Sequence, residues 1–346
     1  MTSITTNDVA LGWQLLVEAK EQVDPEISRA VQRLGDPVRA VAAYHFGWDH
    51  DGDGPAHASS GKSLRAALVL ASARAVGGGT ESAAKAAAAV ELAHNCSLLH
   101  DDIMDGDLTR RGRPTAWTKF GTSRAILAGD ALLVLAFDIL STELPPQACP
   151  RMSAELSAAL LALADGQGAD LSFEERSDVD LGECMAMAAG KTASLFASAC
   201  ALGALAAVSE PARVDCLRAF GHHLGIAFQM VDDLLGIWGA PELTGKPVGS
   251  DLRSRKKSLP VVAALSSGQP AGIRLSELLQ GTGPMSEEEV VKAARLVEEA
   301  GGRAWVSAEA ASHRSRALDY LAAASPEPEA ARALESLADL ITNRDR

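Results

Sequence analysis

Cysteine, aromatic residues and positive charge are what this chain is short of, and each shortage removes a class of protein. Five cysteines (Cys96, Cys149, Cys184, Cys200, Cys216) form an odd set without a CxxC pair. That pattern argues against a disulfide framework or a cysteine zinc site, and the expected setting is reducing and cytoplasmic. Aromatic residues make up 4%, with only two tyrosines, and long β-branched runs are scarce, so a strand-rich fold is not expected. Lys and Arg total 32 against 45 Asp and Glu, a net charge of −13. A chain this acidic repels phosphate backbones at long range, so nucleic acid is not an expected partner. Also missing are the basic and apolar blocks of a signal peptide in MTSITTNDVALGW. No apolar run reaches ~18 residues; the longest, 125–140, is interrupted by Asp130 and Asp138, and no membrane span is expected.

What is present is an ordinary globular composition, 47% hydrophobic and 22% charged over 346 residues, too apolar for a disordered chain. A prior of ~150 residues per domain would give two domains, but there is no linker or repeat, and one all-α domain over 1–346 is expected. Helical spacing recurs over 7–22, 24–44, 61–76, 80–105, 121–141, 148–168, 178–189, 191–208, 211–238, 287–301, 303–324 and 327–343. Ser286 and Glu289 form a capping box ahead of one late helix, and Leu334, Leu337 and Ile341 stripe the last. The segments 45–60 and 266–285 read as loops. Asp49-His50-Asp51-Gly52-Asp53-Gly54 opens like a calcium loop, but its twelfth position is Ser60 where a bidentate Glu is needed. A solvated acidic turn is the better reading.

The informative segment is Glu91-Leu-Ala-His-Asn-Cys-Ser-Leu-Leu-His-Asp101-Asp102-Ile-Met-Asp105. At ~100° per residue, His94, Ser97, Asp101 and Asp105 fall within an arc of about 80°. Asp101 and Asp105 are i,i+4 neighbours, and two carboxylates at that spacing repel by roughly 3 kcal/mol at an effective dielectric near 20. On a helix flanked by apolar residues that repulsion needs a counter-charge. The following Arg110-Arg111-Gly112 puts cations beside the acids, a combination that suits a divalent metal with an anionic ligand.

A second segment, Gln229-Met-Val-Asp232-Asp233-Leu-Leu-Gly236, repeats the chemistry, with Gln229, Asp232 and Gly236 on one face. An antiparallel pair of such helices would set Asp101 and Asp105 opposite Asp232. Hard oxygen ligands of this kind suit Mg²⁺, which completes its shell with water and substrate phosphates. Further cations stand at Gly61-Lys62-Ser63-Leu64-Arg65, at Lys191-Thr192, read as the start of a helix whose dipole favours an anion, and in Thr244-Gly-Lys246-Pro-Val-Gly-Ser-Asp251 followed by Arg-Lys256-Lys257-Ser258. Singly, each is an ordinary surface charge. Jointly, with two aspartate clusters, they describe a diphosphate site.

In order along the chain, GKSLR, ELAHNCSLLHDDIMDGDLTRRGRPT, GKT, FQMVDDLLG and TGKPVGSD with RKKSLP resemble the trans-isoprenyl diphosphate synthases, the polyprenyl synthetase family, and most of all bacterial geranylgeranyl diphosphate synthases. The resemblance runs from about Leu11 to the C-terminal helices. It implies an all-helical isoprenoid-synthase bundle around a central apolar cavity, a homodimer, and two facing aspartate helices. It implies that Asp101, Asp105 and Asp232 bind Mg²⁺, three ions per site, with Asp102 and Asp233 supporting. By the same resemblance Arg110, Lys191, Lys246 and Lys256 contact the allylic diphosphate. Lys62, Arg65, His94 and Arg111 hold isopentenyl diphosphate, and Thr192 and Gln229 face the allylic carbons.

The implied reaction is ionisation of an allylic diphosphate, attack by the isopentenyl double bond, and loss of a proton. Two departures stand out: Ser63 and Ala66 change the first basic motif while keeping Lys62 and Arg65, and Gly236 replaces the usual third aspartate of the second acidic motif. Family experience places the chain-length gate at the fourth and fifth residues before the first motif, here Ser97 and Cys96. Both are small, so a product of C20 or longer is expected. A class I terpene cyclase shares the aspartate helix but lacks use for Lys62, Arg65 and Arg111. A non-catalytic regulatory subunit would account for Gly236 but not for an intact first motif.

Overall fold

A computed structural model describes residues 6–48, 63–240, 247–281 and 283–342. In chain order the elements are α1 (Thr6–Val31), α2 (Asp36–Phe46), α3 (Leu64–Ala75), α4 (Thr80–Met104), the hairpin strands β1 (Thr109–Arg110) and β2 (Arg113–Pro114), and α5 (Ala116–Phe120). Then come α6 (Thr122–Thr142), α7 (Cys149–Glu175), α8 (Leu181–Ala188), a π-helical turn (Ala189–Ala193), α9 (Ser194–Ala206) and α10 (Pro211–Trp238). The last are α11 (Ser250–Arg253), α12 (Leu259–Leu265), α13 (Pro270–Leu279), α14 (Glu287–Glu299), α15 (Gly302–Ala323) and α16 (Pro328–Thr342). The fold is all-α, as the composition implies.

The chain divides into two compact units. One comprises Met1–Ala158, Ser198–Arg218 and Leu321–Leu337, the other Ala159–Ala197, Ala219–Tyr320 and Ala338–Arg346. In the first, α4 packs against α1, α3 and α6. Its middle, Ala86 to Val90 with Leu92 and Ala93, has no exposed surface. Small side chains let neighbouring helices approach from every side, so α4 is held rigidly and its polar end is set by the core. In the second, Phe173, Met187, Ile226, Met230, Leu259 and Val306 belong to one apolar cluster. Ile237, Leu252, Val261, Leu275, Leu296 and Val297 belong to another.

Several elements differ from the sequence reading. The break expected after residue 22 is absent: α1 runs through Pro25. Leu16, Ala19, Val23, Ile27 and Ala30 are all buried, and burying that continuous stripe outweighs the roughly 3 kcal/mol cost of an internal proline. The segment 266–285 contains α13, which starts at Pro270 and buries Ala271 and Leu275. The short helices α5, α11 and α12 and the two-residue hairpin were below the reach of helical periodicity. Helices 178–189 and 191–208 are one continuous stretch joined by the π turn, so Lys191 does not open a helix and the dipole argument for its position fails. Two elements match closely: Ser286 and Glu289 make the reciprocal capping box, and Leu334, Leu337 and Ile341 are buried. The acidic turn at 49–54 lies outside the described residues.

Among the described residues, two helical stretches are long and apolar enough to cross a membrane by length and composition, Thr122–Thr142 and Leu181–Ala206. The second is a core helix, with 67% of its apolar window buried inside the protein. On α6, Ile126, Leu127 and Val134 are exposed.

Candidate active site

The first unit carries a cation-rich group built on the last turns of α4. His94, Ser97 and Asp101 are half-buried along one stripe, as their spacing requires, and Asp105 is exposed at the helix end. Asp105 is the C-cap, its N–H donating to the Asp101 carbonyl at 2.8 Å. Asp102 points away from that stripe. It is buried, its Oδ1 accepts from Arg110 Nε at 2.6 Å, and its Oδ2 has no hydrogen bond. Burial lifts the Asp102 carboxyl above its usual range, with Arg110 opposing.

The hairpin after α4 explains the Arg110-Arg111-Gly112 sequence. Arg110 and Arg113 pair across the strands, and Arg111 and Gly112 turn the corner with φ of 53° and 74°. Positive φ at both central residues defines a type I′ turn, free for glycine but strained for arginine. Tyr44 fixes the hairpin to α2: its hydroxyl donates to the Pro114 carbonyl at 2.8 Å, and Arg113 and Lys119 lie 4.3 and 4.1 Å from its ring centroid. The strain at Arg111 therefore sits on a well-anchored loop.

Around Arg111 the cations are crowded. Arg65 Nη1 lies 3.1 Å from His94 Nε2; the guanidinium donates, so the imidazole accepts and is neutral. Burial, then Arg65, Arg111 and Arg110, hold the His94 imidazolium well below the usual range. His45, 3.1 Å from Asn95 Oδ1, is pushed down to about 3 by burial and by Arg111 and Arg110. Buried Glu91 accepts from the Ala66 N–H at 3.0 Å and is the acid beside Arg65 and Arg111. His45, Arg110, Arg111 and Arg113 line one pocket with Asp102. Two histidines held neutral by burial and by neighbouring arginines leave the arginines as the cations of this pocket, a lining that suits an anion.

The second unit carries the opposite balance. The π turn holds Lys191 where α7 and the turn meet backbone to backbone: a Cβ at Gly166 would lie 2.2 Å from Lys191 N, and one at Gly190 2.6 Å from the Ala162 carbonyl oxygen. Lys191 Nζ donates to Asp170 Oδ2 at 2.6 Å. Thr192 Oγ1 donates to Gln229 Oε1 (2.6 Å), Gln229 Nε2 to Asp233 Oδ1 (2.7 Å), and the Leu259 N–H to Asp233 Oδ2 (2.9 Å). Both oxygens of buried Asp233 are thus engaged, and burial raises its carboxyl to about 7 against the pull of Lys256. Asp232, one residue earlier, is exposed. Desolvation would lower the Lys256 ammonium, but Asp170, Asp251, Asp233 and Asp232 outweigh it and hold the group above its usual range.

Every expected site residue within the described segments is in one of these two groups or on α4; Lys62 and Lys246 lie outside the described residues. Cys96 is buried beside His100, and Ser97 Oγ donates to the His94 carbonyl at 2.7 Å. His45, Glu91, Asp170 and Asp251 were not assigned roles from sequence. Asp170 carries a sequence signal, Gly166-Gln-Gly-Ala-Asp170 interrupting an Ala/Leu helix, but it lies beyond the 148–168 span that helical spacing gives. Buried Gln167 belongs with it, its amide lacking any hydrogen bond.

Among the described residues no three His, Cys, Asp or Glu side chains converge as a ready-made metal cage. The donor sets are carboxylates, presented in ones and twos beside lysines and arginines. Mg²⁺ fits that arrangement, since it is commonly held by one or two carboxylates and completed by water and substrate phosphates.

The polyprenyl synthetase family model matches residues 56–297. A (2E,6E)-farnesyl diphosphate synthase of Mycobacterium bovis is 45% identical over 329 residues, covering 94% of this chain and 91% of the relative. A geranylgeranyl diphosphate synthase of Mycobacterium tuberculosis is 47% identical over 292 residues, 84% of this chain and 83% of the relative. The crystal structure of a polyprenyl synthetase from Streptomyces coelicolor A3(2) superposes with a TM-score of 0.88 at 44% identity, covering 95% of this chain and 98% of that one. A geranylgeranyl pyrophosphate synthase from Corynebacterium glutamicum, solved with isoprenyl diphosphate and magnesium, gives a TM-score of 0.82 at 27% identity, over 96% of this chain and 99% of that one.

Proposed function

The chain belongs to the polyprenyl synthetase family, and from that premise we propose that it is a trans-prenyltransferase joining isopentenyl diphosphate to an allylic diphosphate, with geranylgeranyl diphosphate (C20) as its main product. The supporting observation is an arginine-lined pocket formed by α2 and the hairpin, in a chain that also carries aspartates on α4 and α10. Arg65, His94 and Arg111 suit the diphosphate of isopentenyl diphosphate, a bound anion needing no metal. Asp101, Asp105 and Asp232 would hold Mg²⁺, three ions per site, with Asp102 and Asp233 anchoring the residues around them. When bound, Mg²⁺ neutralises the charge that develops on the departing diphosphate. Lys191, Lys256 and Arg110 add fixed positive charge to the same leaving group. Thr192 and Gln229 offer oxygen dipoles to allylic carbons, and their hydrogen-bonded chain to Asp233 and Leu259 holds them in place.

C20 is favoured by α4. Ser97 lies one turn before Asp101 on the same stripe and its hydroxyl is folded back on the helix, so nothing bulky stands there. Cys96 is turned about 100° from Ser97; Ser97 is accordingly the stronger gate. We further propose a homodimer, since the exposed Ile126, Leu127 and Val134 on α6 suit burial against a second copy. A cytoplasmic location suits the five free thiols. The family match spans parts of both units, which favours one functional domain.

The test is incubation of the protein with Mg²⁺, labelled isopentenyl diphosphate and allylic diphosphates from C5 to C15, followed by product sizing. Elongation to C20 is expected, and Ser97→Phe should shorten the product. A hydrocarbon formed from allylic substrate alone, or no turnover, would refute the reading, and an unchanged product pattern in Ser97→Phe would refute the gate.

A further inference from the structure

The second aspartate motif offers three positions, Asp232, Asp233 and Gly236, and the structure leaves only the first as a surface carboxylate. Asp233 is buried with both oxygens occupied by Gln229 and Leu259. Gly236 has no side chain. It stands four residues after Asp232, hence on the same helix face with side-chain directions about 5–6 Å apart.

The space over Gly236 is filled from elsewhere. A Cβ built there would lie 2.3 Å from Asp251 Oδ2, 2.6 Å from its Cγ and 2.9 Å from its Oδ1. The whole carboxylate therefore lies flat against the glycine, in the volume a side chain at 236 would take. The local backbone keeps it there: Asp251 is in α11, Ser250 Oγ donates to the Gly236 carbonyl at 3.4 Å, and the Lys256 N–H donates to the Asp251 carbonyl at 2.8 Å. The same turn that brings Asp251 to α10 thus brings Lys256 beside it.

We propose that Asp251 supplies the carboxylate that position 236 lacks, so that Asp232 and Asp251 form the metal-holding pair of this unit, and that residue 236 is glycine because the Asp251 carboxylate needs its space. The pair reproduces, from two elements, the i,i+4 carboxylates that Asp101 and Asp105 provide from one. The inference rests on the Mg²⁺ reading above and assigns it a residue.

The test is Mn²⁺ binding to the full chain, followed by electron paramagnetic resonance in the presence of inorganic pyrophosphate, with circular dichroism to verify folding. Asp251→Asn should weaken Mn²⁺ binding about tenfold or more. Gly236→Asp should also weaken it, by forcing two carboxylates into one volume. The double variant Gly236→Asp with Asp251→Ala should return the affinity to within about threefold of the original, because the alanine vacates the volume over residue 236 and the carboxylate is moved, not lost. Gly236→Ala, which keeps Asp251 and only displaces it, should give an intermediate loss and guards against a folding defect in Asp251→Asn. Unchanged binding in Asp251→Asn, or a double variant no better than Asp251→Asn, overturns the assignment. If the unaltered protein fails to bind Mn²⁺ with pyrophosphate, the underlying Mg²⁺ reading falls as well, which is a different result from the failure of rescue.

Discussion

The two charged groups of this protein invert one another. Around α4 and its hairpin, Arg65, Arg110, Arg111 and Arg113 gather beside Glu91 and Asp102, burial together with these arginines keeps His45 and His94 neutral, and the carboxylates of Asp101 and Asp105 stand at the helix end. Around α10 and α11, Asp170, Asp232, Asp233 and Asp251 act on Lys256 and hold it charged, and Asp170 also pairs with Lys191. On the proposed reading, isopentenyl diphosphate meets Arg65, His94 and Arg111 directly, whereas the allylic diphosphate needs a cation with it beside the aspartates. The net charge of −13 describes neither. What matters is which charges the fold leaves unpaired locally, because Coulomb energies at a few ångströms exceed the screened field of distant surface charge.

The largest test of this contrast removes one carboxylate and one arginine. Asp101→Ala should lower kcat for elongation by about 10³-fold, the loss expected when several kcal/mol of charge stabilisation at the leaving group disappears. Excess Mg²⁺ should not restore it. Arg111→Ala should act differently, raising the KM for isopentenyl diphosphate by roughly 10–100-fold, as expected for a lost charged hydrogen bond of about 1.5–3 kcal/mol, with little change in KM for the allylic substrate. Steady-state kinetics with each substrate varied in turn separates the two. Matching changes in both KM values for Arg111→Ala would break the division of labour.

Much of this was legible in the residues, for reasons that can be traced. The aspartate stripe of α4 was readable because polar side chains at three- and four-residue spacing interrupt an Ala/Leu helix, and the fold buries the rest of it. What escaped depended on contacts far apart in sequence. Nothing near Asp251 says that it will lie on Gly236, and the motif read as a segment of one helix shows only that a carboxylate is missing at 236. The position of Lys191 was misjudged because a π turn has no periodicity signal of its own: Gly190 looked like a helix boundary, but it is a point of close approach to α7. His45, on α2, becomes part of the site only when Tyr44 anchors the distant hairpin against that helix.

The smallest expected effect is also the one that distinguishes the two units most cleanly. His45 is pushed down to about 3 by burial and arginines, and His223, 3.0 Å from His313 between Nδ1 atoms, to about 4 by burial and neighbouring histidines. Both lie below the unfolded value near 6.5, so the unfolded chain binds more protons as pH falls from about 6.5 towards 4. Stability must therefore fall with pH through that window, by up to ~1.4 kcal/mol per pH unit for His45 and by less for His223, which solvent screens. His45→Gln and His223→Gln should each flatten the slope measured by urea denaturation between pH 6.5 and 4.5. Pyrophosphate breaks the symmetry. An anion among Arg110 and Arg111 offsets the charge that suppresses His45, raising its folded pKa and reducing its share of the slope. It leaves His223 and His313, which face each other with His222, Arg316 and Tyr320 nearby, as they were. The ligand should thus flatten the pH dependence of the His223→Gln protein and have much less effect on that of His45→Gln. Equal effects on both would mean that anion binding is not focused on the arginine group.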